Sequence, residues 1–317
     1  MTTTAPAPTG APTTGAPAPT GSATTGTPAP GTPAPTGSPA PGTPAPTGSP
    51  APAAFTAESP WVRRAARPGR PRLRLLCFPY AGMGASLYRS WPGLLPEDVE
   101  VVAVQPPGRE DRARDALPAG GVGPLARACA LALRPYTTVP YAVYGHCAGA
   151  VLGAETAREL VRRGAEPPRL LIAAGHRAPH LPATGRPLHA LPDEDFLDGV
   201  RALGGIPERL LANAAFMEFL LPLLRADFAL WEGYRGDPDA APLPFPVLPV
   251  RGDADTVVTE AEAAAWGERT TAPPRDVVHV PGGHYFVNDM TPQAVAAVVS
   301  ALETARPLAS TDPEEAP

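Results

Sequence analysis

An α/β fold with a mostly parallel sheet is what this sequence predicts, and three observations carry the expectation. Short apolar runs without polar alternation recur from residue 73 onward, stretches of helical spacing separate them, and one long interval is helical throughout. The runs are Leu73 to Phe78, Val99 to Val104, Tyr141 to Tyr144, Leu170 to Ala174, Phe245 to Val250 and Val277 to Val280. Strands buried on both faces read as unbroken apolar runs because neither face meets water. Helical spacing is found over Gly123 to Leu133, Ala148 to Arg163, Glu260 to Arg269 and Pro292 to Thr304. Alternation of this kind favours parallel strands covered by helices on both sides.

The exceptional interval runs from Leu191 to Tyr234. Phe196, Val200 and Leu203 share one helical face, and Phe216, Phe219, Leu220 and Leu223 mark a longer amphipathic run. Breaks at Gly204, Gly205 and Pro207 divide the interval into three helices. An insertion between sheet strands tends to sit over the C-terminal edge, where the active sites of such sheets lie. Residues 191–234 are therefore expected to form a lid, with ordinary layer packing as the alternative.

Composition separates the rest of the chain. From Met1 to Thr56 there is no charged side chain, and the unit GTPAPTGSPAP at Gly31 to Pro41 repeats unchanged at Gly42 to Pro52. Such a segment has too little apolar bulk to offset the entropy of ordering it. The expected organisation is a disordered tail over 1–56, a linker over 57–71, one folded domain over 72–308 and a disordered end over 309–317. A net charge of -5 and a pI near 5.7 give no basic surface for nucleic acid. Cys77, Cys129 and Cys147 are too few for a disulfide framework, and neither a signal peptide nor a membrane span is evident. A soluble, cytoplasmic protein is expected, with a secreted, glycosylated Pro-Thr linker as the lesser alternative.

Chemistry concentrates at Tyr141-Ala-Val-Tyr-Gly-His-Cys-Ala-Gly149, a strand running through G-x-C-x-G into a helix. Glycines flank a nucleophile at such an elbow because the turn is strained and strand and helix meet without room for side chains. The helix N-terminus behind Cys147 favours the thiolate. An elbow needs a base and a carboxylate, which follow in the chain in the order acid, histidine. His284, in Pro281-Gly-Gly-His-Tyr285, is the expected base. Asp255, in Arg251-Gly-Asp-Ala-Asp-Thr256, is chosen to orient it because it lies further past the strand end. Asp253 is assigned to bracing the loop, and an exchange of the two roles stays open. Acyl transfer also needs oxyanion donors. The amide of Ala148 supplies one, and Ala81, in the glycine-rich loop Phe78-Pro-Tyr-Ala-Gly-Met-Gly84, is expected to supply the other. The expected whole is an α/β-hydrolase: a mostly parallel central sheet flanked by helices, with a helical lid insertion.

The segments LLCFPYAGMGAS, VVAVQPPGREDR, YGHCAGA, LPDEDFLDGVRALGGIPERLL, LLPLLRADFALWEGY, RGDADTVVT and VPGGHYFV resemble, in order, the signature blocks of the stand-alone (type II) thioesterases of polyketide and nonribosomal peptide synthesis. The resemblance implies acyl or peptidyl thioesters on the phosphopantetheine arm of a carrier protein as substrates, released by water. It places Cys147, Asp255 and His284 in the triad, with Ala81 and Ala148 as oxyanion donors. The partner would be an acyl or peptidyl carrier protein, with no cofactor of the enzyme's own. Where that family usually has GHSMG, this chain has Cys147 and Ala148. A cysteine acyl-enzyme remains a thioester, so it stays reactive toward amines and thiols. Transfer to an amine or hydroxyl, including cyclisation, therefore competes with hydrolysis, and a catalytically idle carrier-binding domain is a third reading.

Phe216, Phe219 and Leu223 of the lid are expected to line the acyl channel. His146 is expected to brace the elbow. His176, His180 and His189 show no metal-ligand spacing, so no metal is expected. Cys77 and Cys129 belong in the core, and Pro107-Gly-Arg-Glu-Asp-Arg112 is expected to be a solvated, salt-bridged turn.

Overall fold

The computed structural model describes residues 55–65, 70–182, 186–206, 208–237 and 239–306. The expected tail up to residue 54 and the C-terminal segment 309–317 lie outside them, as does Pro207. In chain order the strands are β1 (Phe55–Ser59), β2 (Val62–Ala65), β3 (Leu73–Phe78), β4 (Val99–Val104), β5 (Tyr141–His146), β6 (Leu171–Ala174), β7 (Val247–Gly252) and β8 (Val278–Val280). The helices are α1 (Trp91–Leu94), α2 (Val122–Leu133), α3 (Ala148–Arg162), α4 (Asp193–Leu203), α5 (Glu208–Leu211), α6 (Ala214–Glu232), α7 (Glu260–Ala264) and α8 (Pro292–Ala305).

The eight strands form one sheet in the order β1-β2-β4-β3-β5-β6-β7-β8. Every pairing from β4 to β8 is parallel, whereas β1 with β2 and β2 with β4 are antiparallel. Along β3, Leu76 and Phe78 face a layer made by α2 and α3, while Leu73, Leu75 and Cys77 face the layer of Tyr88, Trp91 and α8. That period of two, buried on both sides, is why the strand reads as an apolar run broken only by Arg74, which pairs with Glu100. Cys129 sits in the first layer and Cys77 in the second, and both are buried.

One boundary differs from expectation. The stretch taken as the end of the tail and the start of a linker contains the hairpin β1-β2, which adds two strands to the sheet edge. Val62 and Ala65 are fully buried, and Val62 pairs with Val104. Arg64 donates to Glu100 at 2.7 Å and to Glu58 at 3.0 Å, so the charges that hid the strand in the sequence are paired across the sheet edge.

The interval 191–234 folds as the helices α4, α5 and α6. Asn213 caps α6 by accepting from the Phe216 amide at 3.1 Å. The lid has a small core of its own, made by Phe196, Val200, Met217, Leu220 and Leu224. None of the helices is long and apolar enough to cross a membrane, among the described residues.

Candidate active site

At the C-terminal end of β5 the chain turns directly into α3, and Cys147 occupies the turn at φ 50° and ψ -123°. A non-glycine residue there is strained by about 1–3 kcal/mol, which its surroundings must hold in place. The Cys147 amide donates to the Ala174 carbonyl at 2.8 Å. A Cβ on Gly145 would come closer than 3.0 Å to the Gly149 carbonyl, and one on Gly149 would do the same to the carbonyls of Phe78 and Pro79. Both glycines of G-x-C-x-G are thus required by backbone contact. The second contact also sets the elbow against the loop that carries Ala81. Ala148 is the first residue of α3, where an amide has no acceptor within the helix.

His284 lies in the turn after β8. Its Nδ1 donates to Asp255 Oδ2 at 3.0 Å, and both side chains are buried. The other carboxylate oxygen, Oδ1, accepts from the amides of Val257 at 2.7 Å and Val258 at 3.1 Å. Burial opposes ionisation of Asp255, but His284 and the two amides outweigh it and hold the carboxyl below its ordinary range. Burial also opposes protonation of His284. Negative charge on Cys147 and on Asp255 prevails and raises it to about 10. Gly252 is needed for this approach, since a Cβ there would strike the carbonyls of Gly282 and Gly283.

Asp253 does something different. Its Oδ1 accepts from the Gly282 amide at 3.0 Å, and its own amide donates to the Val280 carbonyl at 2.9 Å, so it ties the acid loop to the histidine turn. His146 is fully buried and donates from Nε2 to the His284 carbonyl at 2.8 Å. Burial and the neighbouring His284 push its pKa down to about 3, which keeps it neutral.

Ala81 lies between two anchors. Tyr80 donates its hydroxyl to Asn288 Oδ1 at 2.9 Å, and the Gly82 amide donates to Asp227 Oδ2 at 2.6 Å. The three lid residues expected in the channel do not share one environment. Leu223 reaches the backbone of Gly108, Phe216 packs half-buried on the lid core, and Phe219 is 59 % exposed. The inward stripe of α6 is Met217, Leu220 and Leu224, displaced around the helix from the one that aromatic residues suggested. A cleft of about 350 Å³ lies against His284, bounded by Leu203, Gly204 and Gly205 of the lid and by Tyr285 and Asn288. A larger hollow of about 520 Å³ opens beside Tyr141, Arg169 and Arg306, at the opposite ends of the strands from Cys147.

Sequence reasoning missed the role of Arg109. The run 107–112 was expected to be solvated, yet Arg109 is 5 % exposed and pairs with Asp227, which is 1 % exposed. The partner sits on the lid, far along the chain, so no local pattern could name it. Arg177, half-buried after β6, was also overlooked. Burial lowers its pKa, while Glu262 and Cys147 act to raise it. His180 and His189 pair with Glu268 and Glu232, and no metal-binding group of three or more His, Cys, Asp or Glu occurs among the described residues.

A nucleophile position at a helix N-terminus, a carboxylate-held histidine and a nearby glycine-rich loop are the parts of an acyl-transfer site. The thioesterase domain family model matches residues 73–305, which take in β3 to β8. The chain belongs to the thioesterase family. It is 35 % identical over 227 residues to the gramicidin S biosynthesis protein GrsT of Aneurinibacillus migulanus, covering 72 % of this chain and 88 % of that one. The RedJ thioesterase of the prodiginine pathway in Streptomyces coelicolor superposes with a TM-score of 0.66 at 39 % identity, over 76 % of this chain and 90 % of RedJ. BorB, a type II thioesterase from the borrelidin cluster, superposes with a TM-score of 0.69 at 30 % identity, over 79 % of this chain and all of BorB. Membership of the thioesterase family agrees with a mostly parallel sheet, an elbow at the end of β5 and a helical segment between β6 and β7.

Proposed function

We propose that this thioesterase releases acyl or peptidyl groups from the phosphopantetheine arm of carrier proteins in polyketide or nonribosomal peptide synthesis, through an acyl-enzyme on Cys147. The observation that carries the reading is the buried pair His284–Asp255 at 3.0 Å, with Cys147 on the elbow close enough for its charge to raise the His284 pKa. The sulfur gives its proton to His284 and attacks the thioester carbonyl. The amides of Ala81 and Ala148 take the oxyanion, and His284 returns the proton to the departing phosphopantetheine thiol.

Acylation changes the base. The high pKa of His284 depends on negative sulfur, and an acylated sulfur carries no charge. Burial then opposes protonation with the sulfur charge gone, which lowers the affinity of His284 for its proton and suits it to take one from water. The resulting hydroxide attacks the acyl group, the C–S bond breaks, and Cys147 recovers its proton. Soluble carrier-bound substrates fit a cytoplasmic location, and the phosphopantetheine arm belongs to the substrate, so the enzyme needs no cofactor.

One feature favours a second reading. Cys147 keeps the intermediate a thioester, close in energy to the incoming substrate, so an amine or hydroxyl is a competent acceptor. The buried His284–Asp255 pair beside the half-buried Cys147 argues against a merely carrier-binding domain. Mass spectrometry of products after incubation with an acyl carrier protein separates the three. Free acid supports hydrolysis, a conjugate or macrocycle supports transfer, and unchanged acyl carrier protein refutes both.

A further inference from the structure

Asp227 lies within the lid helix α6, far from Cys147 in sequence and outside the triad. Its Oδ2 accepts from the Gly82 amide at 2.6 Å and from Arg109 Nη1 at 2.7 Å, while Oδ1 accepts from Arg109 Nη2 at 2.9 Å. Arg109 in turn donates from Nε to the Pro107 carbonyl at 2.9 Å and from Nη1 to the Met83 carbonyl at 3.4 Å. Gln105 completes the frame by accepting from the Ala85 amide at 2.8 Å and donating to the Arg109 carbonyl at 3.0 Å. The lid also packs on this loop, since a Cβ on Gly82 would sit 2.6 Å from Leu224 Cδ2.

A buried carboxylate–guanidinium pair is poor value as a stabiliser, because desolvation offsets most of the attraction. What this pair does hold is geometry. It joins the loop after β3, the loop after β4 and the lid at one point, and the residue next to that point is Ala81. An oxyanion donor acts only within about 2.7–3.1 Å of the developing charge. A glycine-flanked loop has no intrinsic rigidity to keep it there.

We propose that Asp227, clamped by Arg109, is a positioning residue that sets the Ala81 amide in the oxyanion hole, so that docking of lid helix α6 and completion of the hole are one event. The proposal rests on the acyl-enzyme reading above. A lid that leaves the sheet takes the Gly82 anchor with it, which makes the site competent for thioester attack only when α6 is seated.

The test compares Asp227→Asn, Asp227→Ala and Arg109→Lys with the wild type on a small acyl thioester, beside the rate of Cys147 alkylation by iodoacetamide. Displacement of iodide builds no oxyanion, so alkylation reads the nucleophile alone. Expected is a fall in kcat of about 100-fold, the order of a misplaced donor, with KM and the alkylation rate within about threefold of wild type. Arg109→Lys, which keeps the charge, should fall less than Asp227→Ala. Wild-type kcat in a folded Asp227→Ala overturns the proposal. So does alkylation that falls in step with kcat, or unfolding of all three variants, since either marks an ordinary structural pair. Undiminished turnover in Cys147→Ala would instead refute the acyl-enzyme reading and, with it, the positioning role.

Discussion

Asp255→Asn should abolish most turnover by changing which nitrogen of His284 carries the proton. The side chain is fully buried, and Oδ1 already accepts two amides, from Val257 and Val258. An asparagine must put its oxygen at that position, because an NH₂ group there would face two donors and forfeit two hydrogen bonds. Leaving buried donors unpaired costs about 1–3 kcal/mol each, which disfavours the flipped amide by a few kcal/mol. The asparagine NH₂ therefore points at His284 Nδ1, which must become the acceptor. The ring proton moves to Nε2 and faces Cys147, so the base can no longer accept from sulfur. A wrong tautomer of this kind costs about 10⁴-fold in kcat, close to 5 kcal/mol. Asp253→Asn keeps an oxygen for the Gly282 amide on an exposed side chain and should stay within about threefold of wild type. Steady-state kinetics on an acyl thioester decides. A loss under tenfold in Asp255→Asn, or a larger loss in Asp253→Asn, would refute the assignment.

Iodoacetamide should modify Cys147 at least about 100-fold faster than Cys77 or Cys129, read by peptide mapping. Burial pushes the Cys77 thiol well above its usual range and the Cys129 thiol to about 12, and equal labelling of the three would contradict the site. Gly149→Ala should lower stability by about 3 kcal/mol and remove turnover, because the obstructing atoms are backbone. Gly93→Ala, with nothing within 4 Å, should do neither, and calorimetry with an activity assay checks both. Acid should destabilise the fold through His146, whose pKa is lowered to about 3 in the folded state against an ordinary 6.5. The unfolded chain binds that proton first, so stability present above pH 6.5 is lost as pH falls toward 3, at up to about 1.4 kcal/mol per pH unit. Urea titrations of wild type and His146→Gln should therefore differ in slope over that window, and parallel slopes would refute the burial argument.

Much of the architecture was legible because its signals are local. All six residues of β4 are buried, and five of them are apolar, with only Glu100 interrupting the run, so the strand announces itself without polar alternation. The elbow needs two glycines around one residue, and that spacing is visible within five positions of the chain, although the contact that requires Gly149 is with the distant carbonyls of Phe78 and Pro79. His284 and Asp255 followed from chain order and from their places past strand ends. The hairpin β1-β2 was hidden because FTAES and VRRA carry charges that find their partners only in the folded chain, Glu58 and Glu100 for Arg64 and Asp111 for Arg63. Arg109 was misread for the same reason, since its carboxylate partner comes from α6. The inward stripe of α6 was also not recoverable, because its aromatic residues do not coincide with the face that packs into the lid core, and Phe219 is largely exposed.

The central claim is that an acyl group passes through Cys147. Rapid-quench intact-mass spectrometry of the wild type mixed with an acyl carrier protein tests it most directly. The account predicts a transient mass increase of one acyl group that maps to the peptide bearing Cys147 and is absent, together with turnover, from Cys147→Ala. Turnover without an adduct, an adduct on another residue, or full activity in Cys147→Ala would contradict it.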